Sequence, residues 1–127
     1  MAKILIVDDD VKIIRMLVRR LKKCGHEVYT AENGKAGVEM VLSLKPDLTL
    51  MDMHMPVMDG YEATVALRNQ GYTGQIIALT ASAMAHEAHK SIDAGCNSFL
   101  AKPISEDFEN TLVSILEENT GNENTDS

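Results

Sequence analysis

The chain has 127 residues, room for one domain and little for a second. Its 19 acidic against 12 basic residues give a net charge of −7, which excludes a general nucleic-acid binder and a protein docked on an anionic membrane. Apolar residues make up 45% and charged residues 24%, an ordinary globular balance, and no apolar run approaches the ~20 residues that span a bilayer.

Short apolar runs alternate with longer amphipathic stretches. Met1-Ala2-Lys3 precedes Ile4–Val7, an apolar stretch too short for a signal peptide, so residence in the cytoplasm is the expectation. Lys3–Val7 reads as a strand by its β-branched content. Asp10–Cys24 reads as a helix with Ile14, Leu17, Val18 and Leu21 as its apolar stripe, closed by Gly25. His26–Thr30 is a second strand and Asn33-Gly34 a turn. Lys35–Leu44 is a second helix, stopped by Pro46, and Asp47–Met51 a third strand. The loop 52–60 leads into a third helix, Tyr61–Asn69. Gln75–Thr80 is a fourth strand, Ala83–Ala94 a helix closed by Gly95, and Asn97–Ala101 a fifth strand. Ser105–Glu118 is a fifth helix with Phe108, Leu112, Ile115 and Leu116 inward. Residues 1–118 form the predicted domain; Asn119–Ser127, with no apolar and no basic residue, is read as a frayed, disordered tail.

Five β-α units in strict alternation predict an α/β fold, a doubly wound parallel sheet with helices on both faces. Such a sheet binds ligands at the carboxyl ends of its strands. Asp8, Asp9 and Asp10 follow strand one, Asp52 follows strand three, Thr80 ends strand four, and Lys102-Pro103 follows strand five. In the order 2-1-3-4-5, strands one and three are neighbours, which brings Asp8 and Asp9 beside Asp52. Three crowded carboxylates repel, and a divalent cation removes that cost. Oxygen-only ligands suit Mg²⁺, with Mn²⁺ as the alternative. Lys102 and Thr80 complete a cradle for a phosphoryl group, with a carboxylate as nucleophile. Asp10 reads instead as the N-cap of the first helix. Cys24 and Cys96 form no metal pattern and read as reduced, small hydrophobes, and His86 and His89 read as a solvated helix face.

The runs Ile4–Asp10, Leu50–Gly60, Ile77–Ala81, Ala94-Gly95 and Lys102-Pro103 resemble, in order and spacing, the receiver domain of two-component response regulators, over about residues 2–118. The resemblance implies a flavodoxin-like receiver with Asp52 as phosphoacceptor for a histidine kinase or histidine phosphotransfer protein. It implies Mg²⁺ on Asp8, Asp9, Asp52 and the backbone carbonyl of His54, with Thr80 and Lys102 on the phosphoryl oxygens and a cis peptide before Pro103. Phe99 stands where the family has its switch aromatic; that reading and an ordinary core aromatic both stand open. The further implication is a phosphorylation-dependent switch that changes the face of helix four, strand five and helix five for a downstream protein. No enzymatic activity is expected beyond its own phosphotransfer and dephosphorylation. A monomer without an effector domain is expected; Met51–Gly60, Thr80–Met84 and Ala94–Cys96 look most like receivers of hybrid kinases, the start Met1-Ala2-Lys3 and the short tail look like a free-standing protein, and both readings stand open. His54 and Ser82 occupy positions that tune dephosphorylation in the family. Helix one carries half of all Lys and Arg, a solvated face or a docking site for an acidic partner. Two other readings compete. A small Mg²⁺-dependent phosphatase similar to the haloacid dehalogenase-like enzymes would use Asp8-Asp9-Asp10 with Glu106 and Asp107, but leaves Asp52 idle. An unphosphorylated binding module would lack one of the acids or the lysine, and this chain has them all.

Overall fold

The computed structural model describes residues 2–81 and 85–125. In chain order they form β1 (Lys3–Val7), α1 (Val11–Lys23), β2 (Glu27–Ala31), α2 (Gly34–Leu44), β3 (Leu48–Asp52), α3 (Gly60–Asn69), β4 (Gln75–Thr80), α4 (Ala85–Ala94), β5 (Ser98–Ala101) and α5 (Phe108–Thr125). The five strands are all parallel, as the alternation predicts, and run in the expected order β2-β1-β3-β4-β5.

The core lies in two layers because strand side chains alternate. On one face Leu5, Val7, Met51, Met53, Ile76 and Ala78 pack with Val41 of α2 and Ala63 and Leu67 of α3. On the other, Ile4, Ile6, Leu48, Leu50, Ile77 and Leu79 meet Leu17 and Leu21 of α1 and Phe108 and Leu112 of α5. The predicted stripe of α1 is therefore the face it buries. Ile14 and Val18 flank it, half-buried.

Local chemistry sets the helix ends. Asp10 caps α1 by accepting from the Lys12 N–H. Asn33 caps α2 from outside and Gly34 is its first residue, one earlier than predicted. A side chain at position 34 would meet the Met58 carbonyl oxygen at 2.3 Å, so the Asn-Gly pair serves a close approach rather than a free turn. Asp59 and Glu62 form a capping box on α3. Lys45, left-handed at φ 50°, closes α2 before Pro46. α5 begins at Phe108 rather than Ser105, where three residues of turn intervene, and its backbone continues to Thr125 past the predicted end at Glu118; no proline stops it there. Ser82, and the start of helix four predicted at Ala83, lie outside the described residues, as do Asp126 and Ser127. Among the described residues no helix is long and apolar enough to cross a membrane.

One arginine ties two connections together, α3–β4 and α4–β5. Arg68 donates from Nε to the Gly95 carbonyl at 2.9 Å and from Nη1 to the carbonyls of Tyr72 and Gly74 at 2.8 and 2.9 Å. Its Nη2 donates to Asn97 Oδ1 at 2.9 Å, which also accepts the Ile76 N–H. Arg68→Ala strands these carbonyls and is expected to lower stability by about 2–3 kcal/mol in urea unfolding. Arg68→Lys should recover less than half of that loss, because one ammonium cannot span the fork.

Candidate functional site

Strand register builds the site. Val7 pairs with Met51, so Asp8 and Asp52, each one residue further on, reach the same sheet edge. Asp52 is the last residue of β3, opposite Leu79, which puts Thr80 one step beyond. Thr80 pairs with Ala101, and Lys102 follows. Asp8, Asp52 and Thr80 are buried, whereas Asp9 is exposed.

Asp8, Asp9 and Asp52 each offer a carboxylate oxygen within 4.8 Å of the others, the only such group of potential metal-binding side chains among the described residues. His86 and His89 are exposed and join no such group. Lys102 Nζ stands 3.1 Å from Asp8 Oδ2 and 3.3 Å from Asp52 Oδ1. Asp8 Oδ1 accepts the Asp10 N–H at 2.9 Å, and Asp52 Oδ1 accepts the His54 N–H at 3.3 Å. Asp8 Oδ2, fully buried, accepts no well-directed hydrogen bond despite the nearby ammonium. A buried carboxylate oxygen in that condition, among oxygen donors only, fits a small hard cation such as Mg²⁺.

Burial, and then the like charge of Asp8, push the Asp52 carboxyl up to about 6, against the pull of Lys102 and the His54 N–H. Burial alone would lower Lys102, but Asp52 and Asp8 outweigh it and hold the ammonium above its ordinary range. The Asp52 shift has a consequence for stability. In the unfolded chain Asp52 ionises near ~4, so its contribution to metal-free folding is present below about pH 4 and lost as pH rises through about 6. Asp52→Asn is therefore expected to stabilise the metal-free protein at pH 7 by about 2–3 kcal/mol, and by nothing at pH 4. Thermal unfolding of both proteins in a chelator checks this; an equal gain at both pH values would rule it out.

The expected cis peptide is present between Lys102 and Pro103. Phe99 is half-buried and packs against the layer that holds Met51 and Ala78. Glu106 and Asp107, which the phosphatase reading needs, are exposed in the turn before α5 and stand outside the acid group, which contains Asp52. Cys24 is exposed and Cys96 buried, both free thiols. Sequence reasoning missed two residues beside the cleft. Glu87 of α4 accepts from the Tyr61 hydroxyl, and its carboxylate lies 3.6 Å from His54 Nε2. No spacing signal marks that contact, because the three residues come from different elements.

A doubly wound sheet with acids, lysine and threonine along one carboxyl edge is the form of a phosphoryl-signalling domain rather than of a cap-bearing hydrolase. The chain belongs to the response regulator receiver domain family, which it matches over residues 4–115, and is a receiver domain of two-component signalling. It is 38% identical to protein PilH of Pseudomonas aeruginosa over 109 residues, 84% of this chain and 90% of that protein. It is 33% identical to the sensor histidine kinase RcsC of Escherichia coli over 115 residues, covering 91% of this chain but only 12% of the kinase. The chain thus spans about an eighth of the length of the sensor proteins it matches. The receiver domain of the Francisella response regulator 1452 superposes with a TM-score of 0.86 at 28% identity, covering 94% of this chain and 99% of that one. Chemotaxis protein CheY4 of Vibrio cholerae gives 0.83 at 29% identity, covering 91% and 98%. Receiver domains bind Mg²⁺ at an acidic pocket, and Asp8, Asp9 and Asp52 form such a cluster here.

Proposed function

We propose that Asp52 accepts a phosphoryl group from the phosphohistidine of a sensor kinase or histidine phosphotransfer protein. The observation that carries this reading is the position of the Asp52 carboxylate, at the sheet edge beside Asp8 with Lys102 Nζ 3.3 Å away. An Asp52 oxygen attacks phosphorus and the N–P bond breaks. The imidazole nitrogen leaves with the bond pair and takes a proton from solvent. Asp8, Asp9, Asp52 and the His54 backbone carbonyl would hold Mg²⁺, which when bound offsets charge on the phosphoryl oxygens. Lys102 then exchanges its carboxylate contact for a phosphoryl oxygen, and the Thr80 hydroxyl donates to another.

The acyl phosphate carries ~1.5–2 negative charges where the ionised carboxylate carried one, so the buried edge gains charge and new acceptor oxygens. Thr80 turns toward it, Phe99 takes the vacated space, and the surface of α4, β5 and α5 changes for a downstream protein. Support for the donor comes from a solved co-crystal in which the yeast histidine phosphotransfer protein Ypd1 binds the receiver domain of Ssk1, a domain to which this chain is 30% identical. For docking, α1 offers a groove of about 390 Å³ floored by Ile14, Val18 and Val28 and rimmed by Arg15, Arg19 and Lys22. That composition suits an acidic face with apolar anchors. We read the chain as a cytoplasmic, monomeric receiver, with no catalysis beyond its own phosphotransfer and dephosphorylation.

Intact mass after incubation with acetyl phosphate tests the reading. A gain of one phosphoryl group with Mg²⁺, lost in a chelator, is expected. No gain under either condition, in single-turnover sampling at short times, would point to a binding-only module instead.

A further inference from the structure

The cluster around Glu87 joins three elements: the loop after β3 through His54, α3 through Tyr61, and α4 through Glu87 itself. Tyr61 is its fixed member. The residue is 7% exposed at the edge of the core, and Lys90 Nζ sits 4.2 Å from the ring centroid. The Tyr61 hydroxyl donates to Glu87; burial, and then this bond, push the phenol up to about 12, and the same bond holds the Glu87 carboxyl below its ordinary range. His54 is the movable member. Its side chain is 56% exposed, its contact with Glu87 is the longer one at 3.6 Å, and its ring meets the Tyr61 ring edge-on at 6.0 Å. The His54 N–H donates to Asp52, so one residue touches the acid cleft through its backbone and α4 through its side chain.

We propose that Glu87 is a latch between the loop after β3 and α4. Its carboxylate holds the first turn of α4 to α3 through Tyr61 and senses the position of the loop through His54. A shift of His54 at the cleft loosens the latch, and α4 is then free to change its packing. What drives that shift rests on the phosphorylation of Asp52 proposed above; the latch itself is present in the unmodified protein. Coupling of this kind is reciprocal, so loosening α4 must also loosen the loop.

Amide hydrogen exchange tests it on the full chain, in wild type, Glu87→Gln and Tyr61→Phe, before and after acetyl phosphate with Mg²⁺, with the adduct followed by intact mass. Both variants keep side-chain shape. In the unmodified state each should raise exchange severalfold over residues 86–90 and also at the His54 amide. In wild type the adduct should raise exchange in α4; in Glu87→Gln the same adduct should leave it nearly unchanged. Unaltered α4 exchange in the unmodified variants would overturn the latch, as would a full α4 response in phosphorylated Glu87→Gln. If wild type takes up no phosphoryl group, the proposed function fails, and the unmodified variants alone decide the latch.

Discussion

Asp52→Asn is expected to fold and to take up no phosphoryl group from acetyl phosphate under conditions that modify wild type. A carboxamide has no anionic oxygen to attack phosphorus, and no other carboxylate combines the position of Asp52 with its contacts. Asp8 is as buried but ends one strand away and already spends Oδ1 on the Asp10 N–H. Asp9 is exposed. Asp8→Asn should therefore leave modification possible and slow it, by about 10–100-fold, through weaker hold on the metal. Intact mass against time for the three proteins separates these outcomes. Uptake in Asp52→Asn equal to wild type would assign the nucleophile elsewhere.

Lys102→Met carries the largest expected cost in stability. Lys102 is the cation shown facing both buried acids, at 3.1 and 3.3 Å, and methionine keeps its length without the charge. Removing one partner of a buried charge group costs about 3–5 kcal/mol, because the carboxylates left behind remain out of water and repel each other. That loss should appear in urea unfolding in a chelator at pH 7. It should shrink toward pH 5, where Asp52, whose pKa already stands at about 6 with Lys102 present, takes up a proton. Added Mg²⁺ should restore most of it by replacing the missing positive charge. A loss independent of both pH and Mg²⁺ would mean that Lys102 acts by packing its chain, not by its ammonium.

Much of this site was legible because a parallel sheet leaves little freedom. β1 and β4 fall on their predicted bounds, since strands buried on both faces read as unbroken apolar runs. Once the order 2-1-3-4-5 is taken, the meeting of Asp8, Asp9 and Asp52 follows from register. The contacts of Glu87 with Tyr61 and His54 depend on how α3 and α4 pack, which no local period encodes. Arg68 lies in the last turn of α3, and its role arises from carbonyls in the loops after α3 and after α4, which no local pattern encodes. Val57 was equally silent. It is a β-branched residue at φ 72°, 84% exposed, where Met58 N–H bonds back to the Pro56 carbonyl at 2.8 Å. That is a tight three-residue turn with a conformational cost, set by the surrounding loop and not by the propensity of valine.

The most direct measurement is the location of the phosphoryl group in the wild-type chain. Brief reaction with acetyl phosphate and Mg²⁺, reduction of the acyl phosphate by borohydride and tandem mass spectrometry of the peptides would mark the modified carboxylate. The structure predicts a single reduced residue, Asp52. Reduction at Asp8 instead would contradict the receiver mechanism and favour phosphatase-type chemistry at the end of β1.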